Sequence, residues 1–298
     1  MVKRLLTTMD SLGIEQVVMM PDRLGLAGTV IRDTAGRLSV LKAELLDFTP
    51  EGTYLDTLHA VEAMVRADCA CIITLGGDGT NRIVAKVSRE IPLLPISAGT
   101  NNVFPYLVES TIAATAAAAL VRESVTIEQA CVRRPVLELY VNNIPVDIAL
   151  IDLVVVDQSH VGARAVWDPD IIKEIFLTRA RPQDIGLSSI GGCLNPMPLN
   201  SGKGLHLTIG TPGRTINAPI TPGLVRSVSI RKVNSFEPGQ AVVIDFKPCL
   251  IALDGEREIQ IEKNNHAEVK IDIMGPLVID IDATLARAVD SGFLSGPG

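Results

Sequence analysis

The stretch that constrains the fold most is Leu75-Gly76-Gly77-Asp78-Gly79-Thr80-Asn81, which joins an apolar run to an amphipathic one. Before it, Cys69-Ala70-Cys71-Ile72-Ile73-Thr74-Leu75 reads as a fully buried strand. After it, Asn81-Arg82-Ile83-Val84-Ala85-Lys86-Val87 opens a helix, with Thr80 or Asn81 as the expected cap. Gly76, Gly77 and Gly79 allow positive φ and a close approach of backbone to ligand. A strand, a glycine loop and a helix start aim free N–H groups at one point, which suits a phosphate. A turn alone does not need the carboxylate at its centre. Asp78 puts negative charge where phosphates would sit, as taking a proton from a hydroxyl or holding Mg2+ requires. A tight turn with Asp78 as a helix cap accounts for the same residues, so both readings stand here. The spacing is neither a Walker A loop nor the dinucleotide fingerprint.

The flanking segments alternate. Residues 3–12 read as a helix, Gln16-Val17-Val18-Met19-Met20 as a strand, and the stretch near 43–48 as another. From Thr53 the apolar positions Leu55, Leu58, Val61, Met64 and Val65 keep helical spacing, with Thr53 and Asp56 as a capping box. A short strand, Leu93-Leu94-Pro95-Ile96-Ser97, runs into Ala98-Gly99-Thr100-Asn101-Asn102, and an alanine-rich helix follows from about Ser110 to Arg122. Such alternation predicts a parallel sheet covered on both faces. Ligands of these sheets bind at the carboxyl ends of the strands, where both glycine loops fall.

Near residue 130 the texture changes. Segments 135–141, 145–157, 205–209, 224–231, 241–246, 249–253, 257–262 and 268–273 read as strands, which predicts a β-sandwich. One helix is expected to interrupt it, with Asp168 as cap, Pro169 at its first position, and Ile171, Ile172, Ile175 and Phe176 as its apolar face. The tail holds a strand at 277–281 and a helix to about Val289. The expected fold class is thus α/β plus all-β. An N-terminal α/β domain with a mainly parallel sheet spans 1–128, a β-sandwich domain spans 129–274, and the segment 275–298 returns to the first domain.

Composition narrows the partners. A net charge of −7 and 3% aromatic residues exclude the basic, ring-bearing surface that nucleic acid needs. Hydrophobic content of 47% against 20% charged excludes a largely disordered chain. Any anionic ligand has to be held locally, by N–H groups and a few arginines. The cysteines Cys69, Cys71, Cys131, Cys193 and Cys249 are scattered and fit no zinc spacing, which predicts a reduced, cytoplasmic protein. Met1-Val2-Lys3-Arg4-Leu5-Leu6 turns polar at once, which predicts no secretory leader, and Ile112–Val121 is too short to span a bilayer. The expected partners are nucleotide small molecules and further copies of the chain, with no nucleic acid and no membrane.

Three further groups bear on chemistry. Gly99, Thr100, Asn101 and Asn102 offer a hydroxyl and two amides just past a strand end, for ribose or phosphate oxygens or as a cap of the next segment. Ala252-Leu253-Asp254-Gly255-Glu256 is a strong hairpin signal, and its carboxylates Asp254 and Glu256 are candidates to project toward the phosphate loop. Arg164, Arg179, Arg181 and Lys203 gather cationic charge, mostly as a solvated face, with an arginine available to pair a phosphate. Trp167 reads as packing.

Taken in this order, Gly76-Gly77-Asp78-Gly79-Thr80, Gly99-Thr100-Asn101-Asn102 and Leu253-Asp254-Gly255-Glu256 resemble the superfamily of ATP-NAD kinases and diacylglycerol-type lipid kinases. The nearest form is the acetoin-catabolism (AcoX) type of ATP-NAD kinase, through Pro21-Asp22-Arg23 and Ile96-Ser97-Ala98-Gly99-Thr100-Asn101-Asn102. The resemblance covers nearly the whole chain. It implies transfer of the ATP γ-phosphoryl group to a hydroxyl, with Mg2+ neutralising charge and NAD as the substrate. Asp78 would be the proton acceptor and Glu256 the second catalytic carboxylate. Gly76, Gly77, Gly79, Thr80 and Asn81 would form the phosphate loop, and Gly99, Thr100, Asn101, Asn102, Asp152 and Asp254 would complete the nucleotide site. Three positions depart from the family pattern. Ile151-Asp152 stands where an Asn-Glu pair holds NAD, and Gly186-Leu187-Ser188-Ser189-Ile190-Gly191-Gly192 stands where a Thr-Pro-Thr-Gly-Ser-Thr-Ala-Tyr run is usual. The chain also starts in the helix that follows the family's first strand, which implies an open sheet edge there. The leading reading is an NAD kinase-like phosphotransferase. A lipid or other small-alcohol kinase, or a nucleotide-binding auxiliary protein without catalysis, are the alternatives.

Overall fold

The computed structural model describes residues 1–88, 90–157, 171–198, 201–255 and 257–295. The chain begins with α1 (Val2–Ser11), β1 (Gln16–Met19), α2 (Leu26–Thr34), β2 (Lys42–Leu45) and α3 (Tyr54–Arg66). It continues through β3 (Ile72–Gly76), α4 (Asp78–Ala85), β4 (Leu93–Ser97), α5 (Ser110–Val121), α6 (Ile127–Ala130) and β5 (Cys131–Arg133). β1 pairs with β2 in parallel, and β3 pairs with β4 in parallel with Gly76 beside Ser97. That register sets the ends of β3 and β4, and so the two glycine loops, side by side. The alanines of α5 are explained by its place. Ala113, Ala114 and Ala116–Ala119 are buried, where small side chains let α1 and the C-terminal helix Ile281–Asp290 approach closely.

Aspartates organise the connections of this unit by accepting backbone N–H groups. Asp10 takes those of Ser39, Val40 and Leu41, fixing the entry to β2. Asp22 takes those of Leu24, Leu26 and Ala27, which starts α2, a helix the sequence pattern did not announce. Thr53 caps α3 as expected, but Asp56 reaches past it to the N–H groups of Glu51 and Gly52.

The next stretch is antiparallel: β6 (Val136–Val141), β7 (Ile144–Ala149), β8 (Asp152–Val156), β9 (Ile172–Leu177), α7 (Leu187–Leu194), β10 (Gly204–Thr221), β11 (Leu224–Phe236), β12 (Val242–Val243), β13 (Cys249–Leu253), β14 (Arg257–Ile261) and β15 (Ala267–Asp272). A six-stranded sheet in the order β11-β10-β9-β8-β13-β14 faces a four-stranded one, β12-β15-β6-β7. Between them Leu137, Leu139, Leu153, Val155, Phe176, Phe236, Val269 and Ile271 form one core. A second core lies behind the larger sheet, where Ile190 of α7 packs on Ile175, Leu177, Leu205 and Leu207.

Several expectations are corrected here. Ile172–Leu177 is a strand, not the apolar face of a helix, because Phe176 faces the other sheet while Ile175 and Leu177 face α7. Burial on both faces hides the period of two. Asp168, Pro169, Arg164 and Trp167 lie outside the described residues. The interrupting helix is α7 instead. The stretch 145–157 is two strands in opposite sheets, and only Val242–Val243 of 241–246 is a strand.

The tail holds β16 (Leu277–Ile279) and α8 (Ile281–Asp290). β16 lies between β4 and β5, parallel to β4 and antiparallel to β5, so the chain returns to the four-stranded sheet that holds β3 and β4, separate from the β1-β2 pair. No helix among the described residues is long and apolar enough to cross a membrane.

Candidate active site

β3 delivers Gly76 and Gly77 at its carboxyl end, and α4 begins immediately with Asp78. The helix therefore starts two residues before the expected cap at Thr80, and its N-cap is Gly77, with no side chain capping it. None of Gly76, Gly77 and Gly79 has positive φ, contrary to expectation. Room is what they supply. A Cβ on Gly76 would meet the Thr80 side chain at 2.8 Å, and one on Gly77 would meet Asn102 Oδ1 at 2.7 Å. Asn81 is fully buried; its Oδ1 accepts from Thr74 Oγ1 at 2.5 Å and its Nδ2 donates to Gly77 O at 2.8 Å. It braces the loop from inside.

Asp78 turns away from its own helix toward the second loop. Its carboxylate accepts from the N–H groups of Val103 (3.1 Å) and Phe104 (2.8 Å). Val103 O in turn accepts from Arg179, which also pairs with Asp184 at 3.1 Å. One peptide after the second loop is thus held by an acid of the first unit and a base of the second. Within that loop, Ser97 Oγ donates to Gly99 O at 2.6 Å and accepts from Asn102 Nδ2 at 2.8 Å, while Thr100 and Asn101 are exposed.

The acid hairpin closes the other side. Asp254 and Gly255 both have positive φ, and the buried Asp254 carboxylate accepts from the N–H groups of Leu150 and Ile151 at 2.8 Å and Asp152 at 3.2 Å. Burial pushes its pKa up to about 7, with the charge of Asp78 adding to the rise and the Leu150 N–H opposing it. Asp152 is buried as well; burial, then Asp254, then Asp78, raise its carboxyl far above the ordinary range. Its Oδ1 makes no hydrogen bond among the described residues. Glu256 lies outside the described residues.

Arg82, four residues past Asp78 on α4, reaches into this acid group. Its guanidinium lies 3.3 Å from Asp147 Oδ2 and 3.8 Å from Asp254 Oδ2, and Lys86 Nζ lies 2.5 Å from Asp147 Oδ1. The contacts are ionic: Arg82 Nε and Nη1 are buried and make no aligned hydrogen bond. The sequence reading missed Arg82, Lys86, Asp147 and Asp184. The one available signal was an arginine directly before the apolar Ile83-Val84-Ala85 run. Lys203, by contrast, is a surface residue paired with Glu237. Among the described residues no cluster of three or more histidine, cysteine or carboxylate side chains is arranged to hold a metal ion.

Parallel strands ending in glycine loops, faced by an acid hairpin from an antiparallel two-sheet unit, define an NAD kinase-like fold. Residues 2–124 match the ATP-NAD kinase N-terminal domain, and residues 135–273 match the acetoin catabolism protein X C-terminal domain. Acetoin catabolism protein X of Cupriavidus necator is 34% identical, over 96% of this chain and 83% of its own length. The chain belongs to the acetoin catabolism protein X family. Yeast NADH kinase, solved in complex with NADH, shares the fold with a TM-score of 0.51 at 13% identity, over 99% of this chain and 85% of that one. An NAD kinase from Archaeoglobus fulgidus, solved with ATP, gives a TM-score of 0.45 at 12% identity, over 93% and 97% of the two chains.

Proposed function

We propose that this chain is an ATP-dependent kinase that transfers a phosphoryl group to a hydroxyl of NAD or a closely related nucleotide. The observation that carries the reading is the start of α4. Its N-cap is Gly77, no side-chain cap is made among the described residues, and Asp78 in its first turn accepts from Val103 and Phe104. The helix N-terminus thereby stays available for an anion, while a carboxylate stands beside it. The resemblance of the fold to yeast NADH kinase, which was solved with NADH, supports a nicotinamide nucleotide as acceptor.

In this reading Gly76, Gly77, Gly79 and Thr80 present backbone to the phosphates of ATP, and Asn81 keeps that backbone in shape. Gly99, Thr100, Asn101 and Asn102 border the nucleotide. Asp78 takes the proton of the acceptor hydroxyl, from a position fixed by two N–H groups. Asp152 and Asp254 bind on the side of the second unit, and Glu256 serves as the further carboxylate. The donor set fits Mg2+: the orphaned Asp152 Oδ1 together with Asp78 suits a cation held by one or two carboxylates and by phosphate oxygens. When bound, Mg2+ neutralises charge on the phosphoryl group in transfer. Residues 1–128 with 275–298 act as the nucleotide unit and 129–274 as the substrate unit. A cytoplasmic setting, a role in forming phosphorylated nicotinamide nucleotide and assembly of several copies belong to the same proposal.

A second reading has one observation in its favour. The bonds of Asp78 to Val103 and Phe104 are those a purely organising residue makes, as in a nucleotide-binding protein without catalysis. ADP release from ATP, followed with NAD, NADH and diacylglycerol as acceptors, separates the two. Turnover with any of them excludes the second reading.

A further inference from the structure

A cavity of about 1100 Å³ opens in the β-rich unit, and none of its lining residues belongs to the site described above. Its floor is the inner face of the six-stranded sheet. Strand alternation puts Glu174 on the same face as Phe176, which packs in the core between the sheets. Glu174 pairs across the sheet with Thr208 and Thr208 with Lys232; Phe176 pairs with His206 and His206 with Asn234. Inner faces of a sandwich are apolar where the sheets close on one another. Here two adjacent rows turn polar while still facing inward.

The polar rows are built and not merely solvated. His206 Nε2 and Glu174 Oε2 are 2.8 Å apart and both residues are buried, with the His206 ring stacked on Phe176 at 4.2 Å. Glu174 also accepts from the Phe246 N–H at 3.3 Å. A buried ionisable pair adds little stability over apolar packing, so its presence calls for another reason. The register of β10 breaks between Ile209 and Arg214, both opposite Ile230, so the intervening residues bulge over the cavity. Arg231 donates to Thr211 O at 3.2 Å and holds that lip. Bulges of this kind re-aim side chains beside binding sites. Arg231 and Lys232 bring two cations to the rim of a chain whose net charge is −7, against Glu174 and Asp245, while Lys173 there is paired with Asp157 at 3.1 Å.

We propose that this cavity is a second ligand site for a hydroxylated organic phosphate of sugar-phosphate to nucleotide size, with Glu174 and Asn234 taking hydroxyls and Lys232 and Arg231 taking the phosphate. The volume suits such a molecule. This inference is independent of the kinase reading, because it uses no residue of the glycine-loop site.

The test is titration calorimetry of the full chain with ribose 5-phosphate, and in separate runs with ribose and with inorganic phosphate. Lys232 is exposed, so Lys232→Glu leaves the fold intact while reversing the charge at the site. Ribose 5-phosphate is expected to bind more tightly than either fragment. Lys232→Glu is expected to weaken it tenfold or more, as loss of a charge-assisted contact does. Two results would each overturn the proposal: no binding at millimolar ligand, or binding that Lys232→Glu leaves intact. Equal affinity for inorganic phosphate would overturn it as well, since Glu174 and Asn234 would then contribute nothing.

Discussion

Arg82 and Asp254 stand 3.8 Å apart, one on the helix that follows the glycine loop and the other in the acid hairpin of the second unit. Both side chains are almost wholly buried, and Asp147 and Lys86 extend the contact. The first unit thus sends a cation into the second, and the second returns one, Arg179, to the peptide that Asp78 holds. Two crossed arginines join the units on either side of Asp78.

Removing the first of these leaves the buried Asp254 without its cation and Asp147 with Lys86 alone. Arg82→Met is therefore expected to lower the unfolding free energy by about 3–5 kcal/mol, the usual penalty for breaking a buried pair from one side. Denaturant titration reads it directly. A loss below about 1 kcal/mol would mean that water reaches Asp147 and Asp254 and that the junction is looser than described.

The pH dependence follows from Asp254. Its carboxyl, pushed up to about 7 in the fold, titrates near 3.9 in an unfolded chain. The folded state holds that proton more tightly, so the contribution to stability is full below about pH 4 and is lost as the pH rises to about 7. Asp152, raised by the same burial, acts in the same direction. Asp254→Asn keeps one acceptor oxygen and tolerates the φ of 49°. Between pH 5 and pH 7.5 the wild type should lose roughly 2–3 kcal/mol relative to this variant. Parallel stability curves would contradict the assignment.

Gly77 is tested through its neighbour. Gly77→Ala drives a methyl group toward Asn102 Oδ1, and overpacking of this kind costs about 1–3 kcal/mol. Adding Asn102→Ala should recover most of that loss, because the two residues are in contact and their effects are not additive. Additive losses in the double variant would show that the loops do not brace one another.

What could be read from the sequence was what lies in consecutive residues. The strand, glycine loop and helix around Asp78, the second loop after β4 and the Asp254-Gly255 turn each carry their own local chemistry, so each stands where the pattern put it. The partners of Asp78 were invisible, because a carboxylate that accepts from Val103 and Phe104 leaves no mark on the residues between. Arg82 was missed for the same reason: only the fold sets Asp147 and Asp254 opposite it. β9 was misread because burial on both faces erases its alternation. α7 went unseen because Gly191 and Gly192 disfavour a helix; the fold needs them, since a Cβ on either would strike Leu177 or the Arg181 backbone.

The most direct measurement of the central claim is ADP release from ATP by the wild type and by Asp78→Asn, with NAD as acceptor and calorimetric ATP binding in parallel. Asparagine retains an oxygen for Val103 and Phe104 but cannot take the acceptor's proton. The account predicts that the wild type releases ADP as NAD is phosphorylated. It predicts that Asp78→Asn turns over about 10²-fold more slowly or worse, in the range of lost general-base catalysis, while still binding ATP. Full turnover by Asp78→Asn, or nucleotide binding by a wild type that releases no ADP with any acceptor, would contradict it.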